Sequence, residues 1–206
     1  MHKIDRKEKP IFQKYSEESV KTALKIDFKK KCYLCEEVTR HFEVEHFYPQ
    51  KDFPHLQNDY ENLFYSCQKC NKIKPKTINT SSEDEVLNSC DIAVENLISL
   101  KYNSKKCHVE ILATSQKPDQ KTINTVKLLK RIYNGENSKS SSCEDLKDDI
   151  GEKVENFYKV IDEYHRTKLK RVALKKIKEE LEIDKSYSTF KLWIIRNDKK
   201  LKEVIA

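Results

Sequence analysis

Apolar residues along this chain recur at two different periods, and the changes of period divide it into elements. Val20, Ala23, Leu24 and Phe28 fall three or four apart, so one helix is predicted over about 16–30 with Ser16 as its N-cap. Residues 38–46 alternate instead. Val38, Arg40, Phe42, Val44 and His46 share one side, and their β-branched and aromatic neighbours predict a strand. Pro49 and Pro54 bracket the start of a loop, "PQKDFPHLQNDYENL". A short helix follows, capped by Ser66 and ended by Pro75.

Alternation returns on both sides of "NSKK" in "NLISLKYNSKKCHVEILA", which reads as a hairpin. The stretch "DQKTINTVKLLKRIY" is helical as far as Asn134–Gly135, where a glycine C-cap belongs. "NGENSKSSS" is a flexible loop. From about 143 to 183, Ile150, Val154, Phe157, Ile161, Tyr164, Val172 and Ile177 keep a helical rhythm, broken near Arg166. This stripe is a packing face, for the chain's own core or for a partner protein. "STFKLWIIRND" is a last helix or strand. The pattern is that of an α+β, mainly helical chain.

Composition agrees with the helical bias: only two glycines among 206 residues, and 36% charged residues rich in Lys and Glu. The net charge of +7 suits a polyanionic partner without requiring one. No apolar run reaches the roughly 18 residues of a membrane helix. "MHKIDRKEKP" lacks the apolar core of a signal peptide, so a cytoplasmic protein with no membrane partner is expected. In that reducing compartment seven cysteines do not read as a disulfide framework, and the paired ones point to metal.

Cys32, Cys35, Cys67 and Cys70 form C-x2-C-x31-C-x2-C. Two residues between cysteines let both sulfurs reach one ion, and two such pairs close a tetrahedral Zn²⁺ site with no position left for substrate. The zinc is therefore structural. It brings the strand of 38–46 against the short helix, and so brings "EVEHFYPQKDF" to face Asn71. Oxygens of Glu45 and Asn71 suit a hard ion such as Mg²⁺ or Mn²⁺. His46 has the pKa to take a proton from water. Asn62 can hold the His46 segment through backbone hydrogen bonds, and Lys74, one turn beyond Asn71, can sit against a phosphate. One obstacle is geometric: on a regular strand, adjacent Glu45 and His46 point to opposite faces.

"VEHFYP", "ENL" and "CQKCNKIK" together resemble the His–Asn–His (HNH) endonuclease motif in its zinc-clipped ββα-metal form, with Asn71 in place of the last histidine. The resemblance covers about residues 32–75. It implies that His46 is the general base, that Glu45 and Asn71 bind the catalytic divalent metal, and that Asn62 orients the hairpin. The chain is expected to divide into a basic arm and helix (1–31), the nuclease core (32–80), a hairpin and helix completing the domain (81–135), and a helical extension (136–206) available to a partner. A wider similarity takes in the helix before "CYLCE", the hairpin and "TINTVKLL". It is to the HNH effectors of retron and Septu-type anti-phage systems, the PtuB-like group. That likeness implies DNA as substrate, with RNA not excluded, and an ABC-type ATPase as partner.

A rival reading is a zinc ribbon that binds nucleic acid or protein without cutting; such a module has no use for Glu45, His46 and Asn71 together. His41 and His55 flank the motif as ordinary exposed histidines, and Asp52 and Asp59 solvate the loop. Cys90, Cys107 and Cys143 are reduced thiols. Arg166, Lys168, Lys170, Arg171, Lys175, Lys176 and Lys178 read first as a solvated helix face and second as a track for a nucleic-acid backbone.

Overall fold

Helix α1 (Glu18–Asp27) buries the predicted stripe of Val20 and Leu24. The computed structural model describes residues 1–77, 84–136 and 142–205. Glu17, not Ser16, stands at the N-cap of α1, and its carboxylate is taken by the amides of Gln13 and Lys14. Lys29 and Lys30 then adopt left-handed backbone (φ 53° and 58°), which turns the chain out of the helix and into the first cysteine pair.

Strand β1 (Phe42–His46) is shorter than the alternation predicts. Val38 keeps one isolated bridge to Lys31, while the Thr39 hydroxyl bonds His41 and turns the chain before the ladder begins. Its antiparallel partner β2 (Leu63–Cys67) lies where the pattern predicted none. All five β2 residues are buried, so there is no polar face to produce alternation. Helix α2 (Gln68–Ile73) follows without a break, capped by Cys67 rather than Ser66, and Pro75 lies just beyond its end.

The hairpin appears as β3 (Ile98–Asn103) paired with β4 (His108–Ala113). Helix α3 (Gln120–Asn134) stops at Gly135, whose φ of 69° is the left-handed cap that glycine supplies without strain. Helices α4 (Ser142–Arg166) and α5 (Lys170–Glu180) meet at the predicted break, and α6 (Ser188–Asn197) and α7 (Lys202–Ile205) complete the chain. Among the described residues the architecture is thus α+β with two small antiparallel hairpins. Among the described residues no helix is long and apolar enough to cross a membrane.

One hydrophobic cluster joins α1, the cysteine knuckle, both hairpins, α3 and the first turns of α4. Tyr187 and Phe190 carry the C-terminal part of the chain into this same cluster, while a smaller one gathers Phe157, Ile161, Ile177, Ile195 and Leu201. Of the stripe of 143–183, Ile150, Val154, Phe157, Ile161, Tyr164 and Ile177 therefore pack on the chain itself, while Val172 is exposed. The α6 region also braces the knuckle directly. Glu36 sits there with a left-handed φ of 61°, and its carboxylate accepts from the Thr189 amide (3.0 Å) and hydroxyl (2.6 Å). Burial raises the Glu36 pKa, but the Met1 amine and Lys31 outweigh it and hold the carboxyl well below its usual range. Residues 1–15 are docked on the core as well: the Arg6 guanidinium lies over the rings of Phe28, Tyr60 and Phe64 and bonds the Leu63 carbonyl at 2.7 Å.

Candidate active site

Four thiols converge where β2 runs into α2. The sulfurs of Cys32, Cys35, Cys67 and Cys70 all lie within 4.8 Å of one another and are buried. Cys35 and Cys67 Sγ are 3.8 Å apart, the edge length of about 3.8 Å that a tetrahedron with 2.3 Å Zn–S bonds requires. The donor set fits zinc and offers it no open side. Burial, and then the other three cysteines, hold the Cys70 thiol well above its usual pKa, so a bound zinc would release protons here. The backbone between the pairs is tied down: the Tyr33 amide bonds the Tyr65 carbonyl at 3.0 Å, and the Cys70 amide donates to Cys67 Sγ at 3.4 Å.

With β2 and α2 locked in this way, β1 faces α2. Glu43 and Glu45 lie two apart on the strand and share a face. The Asn71 amide NH₂ donates to Glu43, and that bond aims the Asn71 carbonyl oxygen the other way. Lys76 Nζ meets this oxygen at 2.5 Å and Glu45 Oε2 at 3.5 Å. Two oxygen donors from separate elements thus meet at one ammonium, and oxygen donors are the ligand type a hard divalent ion takes.

Lys74 occupies a different place from the one expected. Its side chain is only 4% exposed, and its three protons go to Glu45 Oε1 (2.7 Å) and to the carbonyls of His46 and Phe47 (2.8 Å each). No donor remains for phosphate. Burial lowers the Lys74 pKa and Glu45 opposes the shift. Lys74 is the strut that fixes Glu45 and the chain leaving β1.

His46 closes the other wall. Its Nε2 is 2.9 Å from the Gln57 carbonyl and 3.1 Å from the Gln50 amide nitrogen. A backbone carbonyl only accepts, so Nε2 carries the proton, the Nδ1 lone pair is the basic site, and the Gln50 NH₂, itself a donor, is a close neighbour of Nε2 and not its hydrogen-bond partner. Burial lowers the His46 pKa, partly opposed by the Gln57 bond and the Glu45 charge, which favours the neutral ring. The Tyr15 ring packs edge-on against it, with centroids 4.7 Å apart. The Glu45–His46 obstacle is resolved at the strand's end. Glu45 approaches from the α2 side and His46 from the turn at 49–51, and both line one cleft of about 220 Å³ with Pro49, Gln50, Lys51, Pro75 and Lys76.

Asn62 does not face that cleft as a reacting group. Its carbonyl oxygen accepts from the Tyr48 amide (2.7 Å), and its NH₂ donates to the carbonyls of Tyr48 (3.0 Å) and Leu56 (3.3 Å). Together with the Phe47 amide bond to the Asn62 carbonyl (2.9 Å), this pins both sides of the loop after His46. An Asn62→Ala protein should keep its zinc, lose about 1–3 kcal/mol of stability from three buried backbone groups left unpaired, and cleave at least about tenfold more slowly. Chemical denaturation beside single-turnover rates checks both halves; a variant as fast as wild type removes Asn62 from the positioning set.

Glu43, Gln50, Lys76 and Tyr15 enter the site although the sequence pattern did not single them out. Only Glu43 left a signal, its spacing of two from Glu45. His41 and His55 are exposed, and Asp59 caps the short 3-10 turn at Tyr60–Asn62. In the basic α4–α5 segment Arg166 pairs with Asp162, Lys175 with Glu179 and Lys176 with Glu163, while Lys170 bonds the carbonyls ending α4. Three of the seven basic side chains on that face are thus paired with acids.

Residues 30–77 match the family model described as HNH endonuclease. Among curated proteins, the chain is similar to a Septu protein PtuB from Bacillus mycoides (strain KBAB4), 37% identical over 81 residues that cover 32% of this chain and 28% of the relative. It is also similar to a Septu protein PtuB from Bacillus thuringiensis, 34% identical over 73 residues, covering 34% of this chain and 28% of the relative. The matched stretch therefore spans less than a third of either relative's length. No solved structure matches.

Proposed function

With residues 30–77 matching the HNH endonuclease family, we propose that the chain is a metal-dependent endonuclease that hydrolyses DNA phosphodiester bonds. One observation carries this reading. A histidine with its Nε2 proton engaged lines one cleft with Glu45, whose Oε2 shares the Lys76 ammonium with the Asn71 carbonyl oxygen. Glu45 and Asn71 would hold the divalent ion, with Glu43 orienting the Asn71 amide. A bound ion would polarise the phosphate and offset the charge that develops on it. His46 Nδ1 takes the proton as water oxygen attacks phosphorus; the P–O bond to the leaving oxygen breaks, and that oxygen takes a proton from solvent. The Gln57 carbonyl keeps the ring from rotating, Asn62 holds the loop behind it, and Lys51 makes the lip of the cleft positive.

The likeness to Septu PtuB proteins supports a place in anti-phage defence, as a cytoplasmic effector acting beside an ABC-type ATPase. The binding-only zinc ribbon is less well supported, because it gives no reason to engage Nε2 of a histidine at the mouth of a cleft. Purified protein incubated with supercoiled plasmid and Mg²⁺ or Mn²⁺ should nick or linearise it, and EDTA should stop the reaction without removing a structural zinc at short times. A parallel arm with single-stranded RNA reports the substrate class. Intact plasmid and RNA with either metal, in the presence of the partner ATPase as well as without it, would refute cleavage in favour of binding alone.

A further inference from the structure

Two lysines share one carboxylate at the site, and they differ in every respect that matters for motion. Lys74 is buried and its three protons are fixed on three acceptors. Lys76 is 62% exposed, stands just past the end of α2, and reaches back over Pro75 to touch Glu45 Oε2 and the Asn71 carbonyl oxygen. These are the two oxygens from which the cleavage reading builds its metal site. The Glu43–Asn71 bond keeps the amide oxygen turned toward Lys76 rather than away. A lysine ammonium is a compact, strongly hydrated point charge on a flexible stem, the side chain best able to stand in for a small hard cation and to leave again.

We propose that Lys76 is a tethered cation that holds the oxygens of Glu45 and Asn71 in place before the divalent metal arrives, and that the metal displaces it toward the substrate phosphate. Without a cation there, the carboxylates of Glu43 and Glu45 would face each other on one side of β1 with only Lys74 to offset them. The ammonium removes that repulsion and keeps the pair preorganised. A divalent ion brings twice the charge to the same two oxygens, so it takes them over and frees Lys76 Nζ. Lys76 still lines the cleft beside His46 and Lys51, where the free ammonium is within reach of a bound phosphate. The device therefore opposes metal binding and favours substrate binding once metal is present. This inference rests on the metal-dependent reading above.

The opposed signs make it testable on the full, zinc-loaded chain. Mn²⁺ titrations followed by the EPR signal of the free ion should give a Kd about tenfold lower for Lys76→Met than for wild type, the equivalent of one charge-assisted hydrogen bond removed from competition. Lys51→Met, which removes a neighbouring charge that contacts neither oxygen, should shift it by less than about threefold through screened Coulomb effects. With Ca²⁺ present to occupy the site, Lys76→Met should bind a short DNA duplex more weakly than wild type; with no divalent ion the two should bind alike. An unchanged or higher Mn²⁺ Kd for Lys76→Met, or an equal gain for Lys51→Met, overturns the tethered-cation role while leaving the nuclease reading intact. Equal loss of DNA affinity with and without Ca²⁺ overturns the displacement step. Absence of Mn²⁺ binding in wild type and both variants overturns this inference and the cleavage reading together.

Discussion

Replacing His46 with alanine should slow plasmid cleavage by about 10²- to 10⁴-fold, the usual worth of a positioned general base, while zinc content stays that of the wild-type protein. The separation follows from geometry. The His46 side chain touches neither the four sulfurs nor the oxygens of Glu45 and Asn71, so its loss leaves both metal sites built. Its backbone keeps the pairing with Leu63, and its carbonyl still accepts from Lys74. What disappears is the Nδ1 lone pair, together with the Nε2 bond to Gln57 and the contact with Tyr15. Those lost contacts cost about 1–2 kcal/mol of stability, too little to unfold a domain and easily measured by denaturation. His46→Asn sharpens the comparison, because it keeps a donor near Gln57 and supplies no base. Rates for both variants equal to wild type would remove His46 from the chemistry, whatever the plasmid assay shows for the native chain.

The parts of this site that could be read in the sequence are those set by spacing along the chain. Two CxxC pairs have local geometry strong enough to survive any context, and "EH" between them is noticed because an acid and a histidine are out of place at the end of an apolar strand. The same holds for the hairpin at 98–113 and for the stop of α3 at Gly135, where alternation and a left-handed cap are local properties. Strand β2 was lost for the opposite reason: "LFYSC" is buried at every position, so the period-2 signal is absent although the strand is central.

Side-chain surroundings cannot be read from the sequence where a long-range partner decides them. A lysine three residues after Asn71 looks like a phosphate ligand until the fold puts the carbonyls of His46 and Phe47 around its ammonium. No pattern in "NKIKPK" says that the first lysine of "KPK" is buried and the second exposed; the turn at Pro75 does that. Likewise nothing in "STFKLW" announces that Thr189 will brace Glu36 across 153 residues of chain. Ser66 and Cys67 are both possible caps by type, and only the zinc cluster, which needs the Cys67 sulfur at the start of α2, selects between them.

That same sulfur makes Cys67→Ser the second decisive substitution, with an expected loss of cooperative folding rather than of activity alone. Cys67 Sγ has two duties: it completes the four-thiol cluster and it accepts the Cys70 amide as the cap of α2. Serine is a better N-cap than cysteine, so the variant keeps the second duty and isolates the first. Structural zinc is worth about 10–16 kcal/mol in small zinc-binding peptides, against a total of about 5–15 kcal/mol for a typical domain. Losing one of four thiolates should therefore cost most of the margin. The effect should also spread, because Cys32, Cys35, Cys67 and Cys70 belong to the same hydrophobic cluster as Tyr33, Leu34, Phe64 and Tyr133. Cys67→Ser protein should contain less than one zinc per chain by mass spectrometry of the metal and should melt far below wild type, or without a transition, by circular dichroism. Chelation of wild-type zinc should reproduce the melt. The control is Cys107→Ser, an exposed thiol outside the cluster, which should match wild type in both measurements. A Cys67→Ser chain that melts cooperatively at the wild-type temperature with its zinc gone would mean that the core, not the metal, holds Glu45 and His46 opposite Asn71.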